Sequence, residues 1–221
     1  MGRVYAIVDE DVCRKQGLSA TLVFRALLEA RVGILQYRAK GQSDDVTLSR
    51  LRELVKMRAE LSPATEIFAN DRADLAELAR TDGVHLGQGD MPIEQARLHF
   101  PRLKVGVSTH TAKELESALD LRPDYVAIGP VFETHSKQDP EPTLGLMGLA
   151  ELAAHARAAG VPSVAIGGIT ESTLGGVLAH VDRAATISAL VANVDATVAP
   201  EPQIQANLAA LERQAWDLPK P

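Results

Sequence analysis

The chain has 221 residues, a net charge of −6, and 46% hydrophobic against 24% charged residues. That composition is ordinary for one large globular domain or two small ones. It gives no footing for nucleic acid, whose binders concentrate positive charge. The one cysteine, Cys13, excludes an intrachain disulfide and a thiolate metal cluster, and reads as a buried apolar residue or a bystander. The first residues lack the pattern of a signal peptide and no apolar run approaches a membrane span, so a cytoplasmic location and no membrane partner are expected.

Two periodicities alternate along the chain. Strand-like runs fall at Val4–Val8, Gly33–Arg38, Glu66–Asn70, Val84–Leu86, Lys104–Val107, Tyr125–Ile128, Ser163–Ile166 and Ala184–Ile187. Between them lie stripes of helical period: Leu22, Val23, Ala26, Leu27 and Ala30, then Leu48, Leu51, Leu54 and Val55. Leu75, Leu78 and Ala79 form a shorter stripe, and Leu115, Ala118 and Leu119 another. Thr111 and Glu114 have capping-box spacing. Pro92 suits a first helical turn after Asp90, because its missing N–H would be unpaired there. Gly160, followed by Pro162, reads as a helix stop.

The strand-like runs show no apolar/polar alternation, as expected where both faces of a sheet are covered. Eight strands, each followed by a helix, account for nearly the whole chain and predict an α/β fold, a single (β/α)8 TIM barrel spanning 1–221. The last helix is expected at Ile204–Gln214, with 214–221 a frayed tail. The segment from Pro130 to Gly145 has three prolines, polar residues and little periodicity; a loop of that length suggests a lid, with Lys137 near its start.

The chemistry sits where the strands end. Arg38 and Lys40 leave the second strand two residues apart, so in extended chain they share a face with Gln36. Such a pair can grip phosphate, Arg by a planar fork and Lys as a point charge, although a solvated basic turn would read alike. Asp71 and Asp90 follow the third and fourth strands. Each taken singly reads as a helix cap; together they suit Mg²⁺, which takes one or two carboxylates and fills its shell with water and phosphate. Asn70 adds an amide that can donate to a phosphate oxygen. Gly167-Gly168 after the seventh strand and Ser188 after the eighth lie where many barrels bind phosphate through backbone amides. Among six histidines only His110 falls in a strand-end cluster. His85, between Val84 and Leu86, reads as a satisfied core histidine, and no zinc-type spacing occurs.

In order, these pieces resemble the thiamine phosphate synthase family, from the first strand to the eighth. The resemblance rests on Gln36-Tyr37-Arg38-Ala39-Lys40, Asn70 through Ala76, Gly83 through Asp90, and Gly106-Val107-Ser108. It continues through Gly129-Pro130-Val131-Phe132, Thr134 through Lys137, Ala165 through Ile169, and Ile187 through Leu190. It implies condensation of 4-amino-5-hydroxymethyl-2-methylpyrimidine diphosphate with 4-methyl-5-(2-phosphoethyl)thiazole, or its carboxylate, to thiamine monophosphate and pyrophosphate. By the same resemblance, Arg38, Lys40, Asn70 and Lys137 hold the diphosphate, and Asp71 and Asp90 bind Mg²⁺. Gln36 and Ser108 lie around the pyrimidine. Thr134, Ser136, Gly168 and the Ile187–Ser188 amides form the thiazole-phosphate pocket. Arg38, Lys40, Lys137 and Ser108 are the expected catalytic group, and the expected substitution is dissociative.

Three departures from the family pattern stand out. Ala39 occupies a place where an acidic residue is common, which removes that partner for Arg38. Ser136 replaces a frequent Thr, and the run His180 through Thr186 lacks the usual glycines before strand eight. Two rival readings also fit the sequence. One is a thiazole tautomerase on the same barrel, suggested by Phe132-Glu133-Thr134 with His110 as proton shuttle. The other is a non-catalytic phosphoester-binding barrel, because fold does not fix function. Small-molecule substrates are the expected partners, and a homo-oligomer is left open.

Overall fold

Eight runs rich in Val, Ile, Ala and Tyr form eight parallel strands, each buried by neighbours on both faces. The computed structural model describes residues 2–134 and 142–216. In chain order the elements are β1 (Val4–Asp9), α1 (Glu10–Lys15), α2 (Ala20–Glu29), β2 (Ile34–Arg38), α3 (Asp44–Leu61) and β3 (Glu66–Asn70). There follow α4 (Ala73–Ala79), β4 (Gly83–Leu86), α5 (Ile93–His99), β5 (Lys104–Thr109), α6 (Ala112–Asp120) and β6 (Tyr125–Ile128). The chain closes with α7 (Gly145–Ala158), β7 (Ser163–Ala165), α8 (Glu171–Leu178), β8 (Arg183–Thr186), a 3₁₀ turn (Ser188–Val191) and α9 (Pro200–Trp216). Each strand pairs with the next and β8 returns to β1, Val4 opposite Ala184, giving a closed (β/α)8 barrel.

The missing alternation has a simple cause: the two strand faces enter two separate apolar clusters. One set, including Tyr5, Ile7, Ile34, Phe68, Tyr125, Val164 and Ala185, fills the barrel interior. The other, including Val4, Ala6, Leu35, Val84, Val105 and Ile128, meets the helices. Within the helical layer Val23, Ala26, Leu27, Leu51, Leu54, Leu115 and Ala118 are buried, each large one contributing about 1.5–3 kcal/mol relative to exposure. Leu78 departs from its expected stripe: it is 58% exposed, and Ala76 takes the inward place instead. Ala30 is also exposed, as the residue that ends α2.

The helix ends follow the side-chain chemistry, with three corrections. The Thr111 hydroxyl accepts from the Glu114 N–H at 3.2 Å, but the Glu114 carboxylate reaches one residue further back, to the His110 N–H at 2.7 Å. Pro92 caps α5 instead of opening its first turn. The last helix begins at Pro200 and runs to Trp216, beyond both expected ends, because Ile204, Leu208, Leu211 and Ala215 give it a buried stripe. Gly160 takes φ +71 after α7, and its N–H bonds to the Arg157 carbonyl.

Candidate active site at the C-terminal mouth of the barrel

At or one residue before their ends, β2, β3, β4 and β5 carry Arg38, Asn70, His85 and Ser108, and these residues meet in a cavity of about 720 Å³. That size suits a small organic ligand. Its walls include Gln36, Arg38, Lys40, Asn70, Asp71, Asp90 and Ser108. Thr134, Gly168, Ile187 and Ser188 line it from the β6, β7 and β8 side. Ser136 and Lys137 lie outside the described residues.

Arg38 ends β2 and is nearly buried. Its guanidinium pairs with the Asp9 carboxylate at the end of β1, whose side chain is only 3% exposed. Asp9 thereby supplies the acidic partner that Ala39 does not, and its other oxygen caps α1 by accepting from the Val12 N–H at 3.0 Å. Lys40 is more open, with Nζ 3.3 Å from Asp71 Oδ2. The loop after β2 has therefore already left extended conformation at Lys40, and the two cations approach the mouth from different depths.

Neither Asp71 nor Asp90 caps a helix. Asp71 adopts φ +64, its N–H bonds to the His85 carbonyl at 2.8 Å, and α4 begins one residue later from Arg72. The left-handed conformation is one that Asp and Asn tolerate better than most residues. Asp90 Oδ2 accepts from the Gly87 N–H at 2.7 Å, folding the β4 turn back on itself. Burial, then the hydrogen bond and charge of Asp90, raise Asp71 above the ordinary carboxylate range, while Lys40 opposes the rise. Two acids placed together in this way are residues that could hold a divalent cation. No group of three or more His, Cys, Asp or Glu that could hold a metal occurs among the described residues, so a cation here would meet two carboxylates and complete its shell from other ligands.

The glycine pair after β7 serves the protein's own packing. Gly167 and Gly168 have φ of +104 and +63, and a Cβ on them would lie 2.6 Å from Pro130 Cα and 2.4 Å from the Glu133 carbonyl oxygen. They let the β6 loop lie against the β7 turn. The same loop is tied at both ends: the Leu144 and Gly145 N–H groups donate to the carbonyls of Pro130 and Val131 at 2.9 and 3.0 Å. His110 lines the cavity and its Nδ1 donates to the Gly129 carbonyl at 2.8 Å.

Tyr5, Tyr125 and His85 also face the cavity, and sequence reasoning missed them there. His85 sits opposite Asn70 in the β3–β4 register and opposite Gly106 in the β4–β5 register. It lies 2.9 Å from both the Tyr125 hydroxyl and Ser108 Oγ. The signal was present in the period of two: Gly83, His85 and Gly87 share a strand face, and two glycines flanking a polar residue mark an interior that needs room.

A closed parallel barrel with cations, amides and paired acids at one mouth defines the class: a (β/α)8 protein with its chemistry at the C-terminal strand ends. A family model described as "Thiamine monophosphate synthase" matches residues 4–190, and the chain belongs to that family. It is 42% identical to a thiamine-phosphate synthase of Koribacter versatilis over 86% of this chain and 89% of that one. With a thiamine-phosphate synthase of Chloroflexus aurantiacus the identity is 33%, over 96% of this chain and 95% of the other. A solved thiamine phosphate pyrophosphorylase from Pyrococcus furiosus superposes with a TM-score of 0.78 at 29% identity, covering 96% of each chain.

Proposed function

We propose that the chain is a single-domain, cytoplasmic, Mg²⁺-dependent transferase. It joins an aminopyrimidine diphosphate to a thiazole phosphate, giving thiamine monophosphate and pyrophosphate. The observation that carries this reading is convergence: every described residue expected at the site lines one cavity, from Gln36 on β2 to Ser188 beyond β8. Among the described residues no helix is long and apolar enough to cross a membrane.

The chain's own groups have separate tasks. Arg38, held in place by Asp9, and Lys40 face the departing diphosphate and offset the negative charge that grows as its bond breaks. Asn70 presents its amide to the same oxygens. Asp71 and Asp90 would hold Mg²⁺, which supplies further charge neutralisation on the diphosphate. Gln36 and Ser108 orient the aminopyrimidine, whose electron-rich ring can stabilise a benzylic-type cation, so bond breaking runs ahead of bond making. The thiazole nitrogen, positioned from the Thr134, Gly168, Ile187 and Ser188 side, then attacks. No protein nucleophile takes part: Cys13 is buried in the core, and its thiol is pushed up to about 12 by that burial. Lys137 and Ser136 belong to the same proposal by sequence resemblance.

Purified protein mixed with the two phosphorylated precursors and Mg²⁺ should release pyrophosphate in step with thiamine monophosphate. Absence of pyrophosphate from folded protein refutes the reading. Isotope effects reporting a tight, nucleophile-led transition state refute the dissociative order of events.

A further inference from the structure

Six side chains cross the barrel in one unbroken line of hydrogen bonds. Gln36 Nε2 donates to Asn70 Oδ1 at 2.7 Å, and the Tyr5 hydroxyl donates to Gln36 Oε1 at 2.9 Å. Tyr5 and Tyr125 hydroxyls lie 2.8 Å apart. His85 joins Tyr125 through Nδ1 and Ser108 through Nε2, both at 2.9 Å. A hydroxyl carries one proton, so each link dictates the next. Tyr5 spends its proton on Gln36, and Tyr125 must therefore donate to Tyr5. His85 Nδ1–H must then donate to Tyr125. The second nitrogen of a neutral imidazole is left as an acceptor, and it takes the Ser108 proton.

The two ends of the line consequently present fixed polarities to the cavity. At one end Asn70 keeps its N–H groups for a ligand; at the other Ser108 keeps only lone pairs. Burial keeps the line dry, with Tyr5 1%, Gln36 3% and Tyr125 4% exposed. Burial also raises both tyrosines well above the ordinary phenol range, so both retain their protons. Gly106 makes the room: a Cβ there would stand 2.0 Å from Tyr125 Cζ.

We propose that Tyr5, Tyr125 and His85 are positioning residues that hold Ser108 as an acceptor, so that it selects the exocyclic amine of the pyrimidine. The ring nitrogens of that pyrimidine only accept, and the amine is its sole donor. An oxo group in its place would set lone pair against lone pair. The direction of the line stands on the protein alone, while the amine assignment rests on the proposed function.

Two measurements test this, one for each part. In ligand-free protein carrying ¹⁵N-histidine, with His85 assigned from the signal lost in His85→Gln, the ring should be neutral with its proton on Nδ1 near neutral pH. A proton on Nε2, alone or with Nδ1, overturns the direction of the line. In turnover, the kcat/KM preference for the amine over the oxo analogue should fall about tenfold or more in Tyr125→Phe and in Tyr5→Phe. It should stay at the wild-type ratio in Tyr37→Phe, which removes a tyrosine hydroxyl bonded to Glu10 in the helical layer. An unchanged preference in either folded line variant overturns the selection role. No turnover by wild-type protein with the aminopyrimidine diphosphate sinks the functional reading instead, and leaves the NMR result interpretable.

Discussion

Replacing Asp71 by Asn should make the metal-free protein no less stable and the metal-loaded protein much less so. Without a cation, Asp71 is a partly buried acid beside a second acid, and both conditions penalise its charge. What the substitution loses is the contact with Lys40, whose side chain is 58% exposed. A bridge so exposed contributes about 0.5 kcal/mol at most, roughly 1–2 °C in melting temperature for a chain of this size. Asn tolerates the φ of +64 as Asp does, so no backbone strain is added. Cation binding works in the other direction. Mg²⁺ at a hundred times its dissociation constant stabilises a one-site protein by about 2.7 kcal/mol, or roughly 5–11 °C here. Thermal melts of both proteins with and without Mg²⁺ read all four states. The wild type should show the full rise and Asp71→Asn less than a third of it, from an equal or higher starting point. A metal-free loss of more than about 2 °C, or an undiminished Mg²⁺ response, would falsify cation binding at this pair. The pH trend has a definite sign: the folded pKa of Asp71 is raised, so the native state holds the extra proton between the ordinary and the raised value. Metal-free wild type should therefore lose stability as pH rises through that window, and Asp71→Asn should lose less.

Arg38→Ala strands the Asp9 carboxylate, only 3% exposed, and should cost about 3–5 kcal/mol. Adding Asp9→Asn should recover part of that stability in denaturant titrations but none of the turnover; recovered turnover means Arg38 acts only through the fold. Gly106→Ala forces Tyr125 aside from inside a filled barrel and should lower stability by about 1–3 kcal/mol, a drop of roughly 2–12 °C; an unchanged melt contradicts the placement of that ring. Cys13 should resist alkylation at pH 8 in folded protein and react readily in urea. Its raised thiol also means that native stability falls as pH climbs from the ordinary thiol value toward about 12, a slope that Cys13→Ser should flatten.

All eight strands and the clustering of polar residues after them are legible in the sequence, because the two periodicities differ sharply and most strands run out into polar or glycine residues. Ends were less legible. β7 stops at Ala165 and β8 at Thr186, each one residue short of expectation, where the chain turns toward Gly167 and the Ser188 turn. Asp71 and Asp90 looked like caps because position alone cannot separate a cap from an acid in a tight turn; only the left-handed backbone of Asp71 and the Gly87 contact of Asp90 do so. Arg38 seemed to lack an acid because its partner is Asp9, near in space through β1–β2 pairing and distant along the chain. His85 was hidden by its apolar neighbours, which face the helices while it faces inward.

The aromatic floor built from Tyr5, Phe68 and Tyr125 has a kinetic corollary. Their rings pack against one another and are nearly unexposed, so the cavity opens toward the mouth and not through this floor. Two substrates sharing that one doorway should bind in a fixed sequence, and product-inhibition patterns independent of order would contradict it.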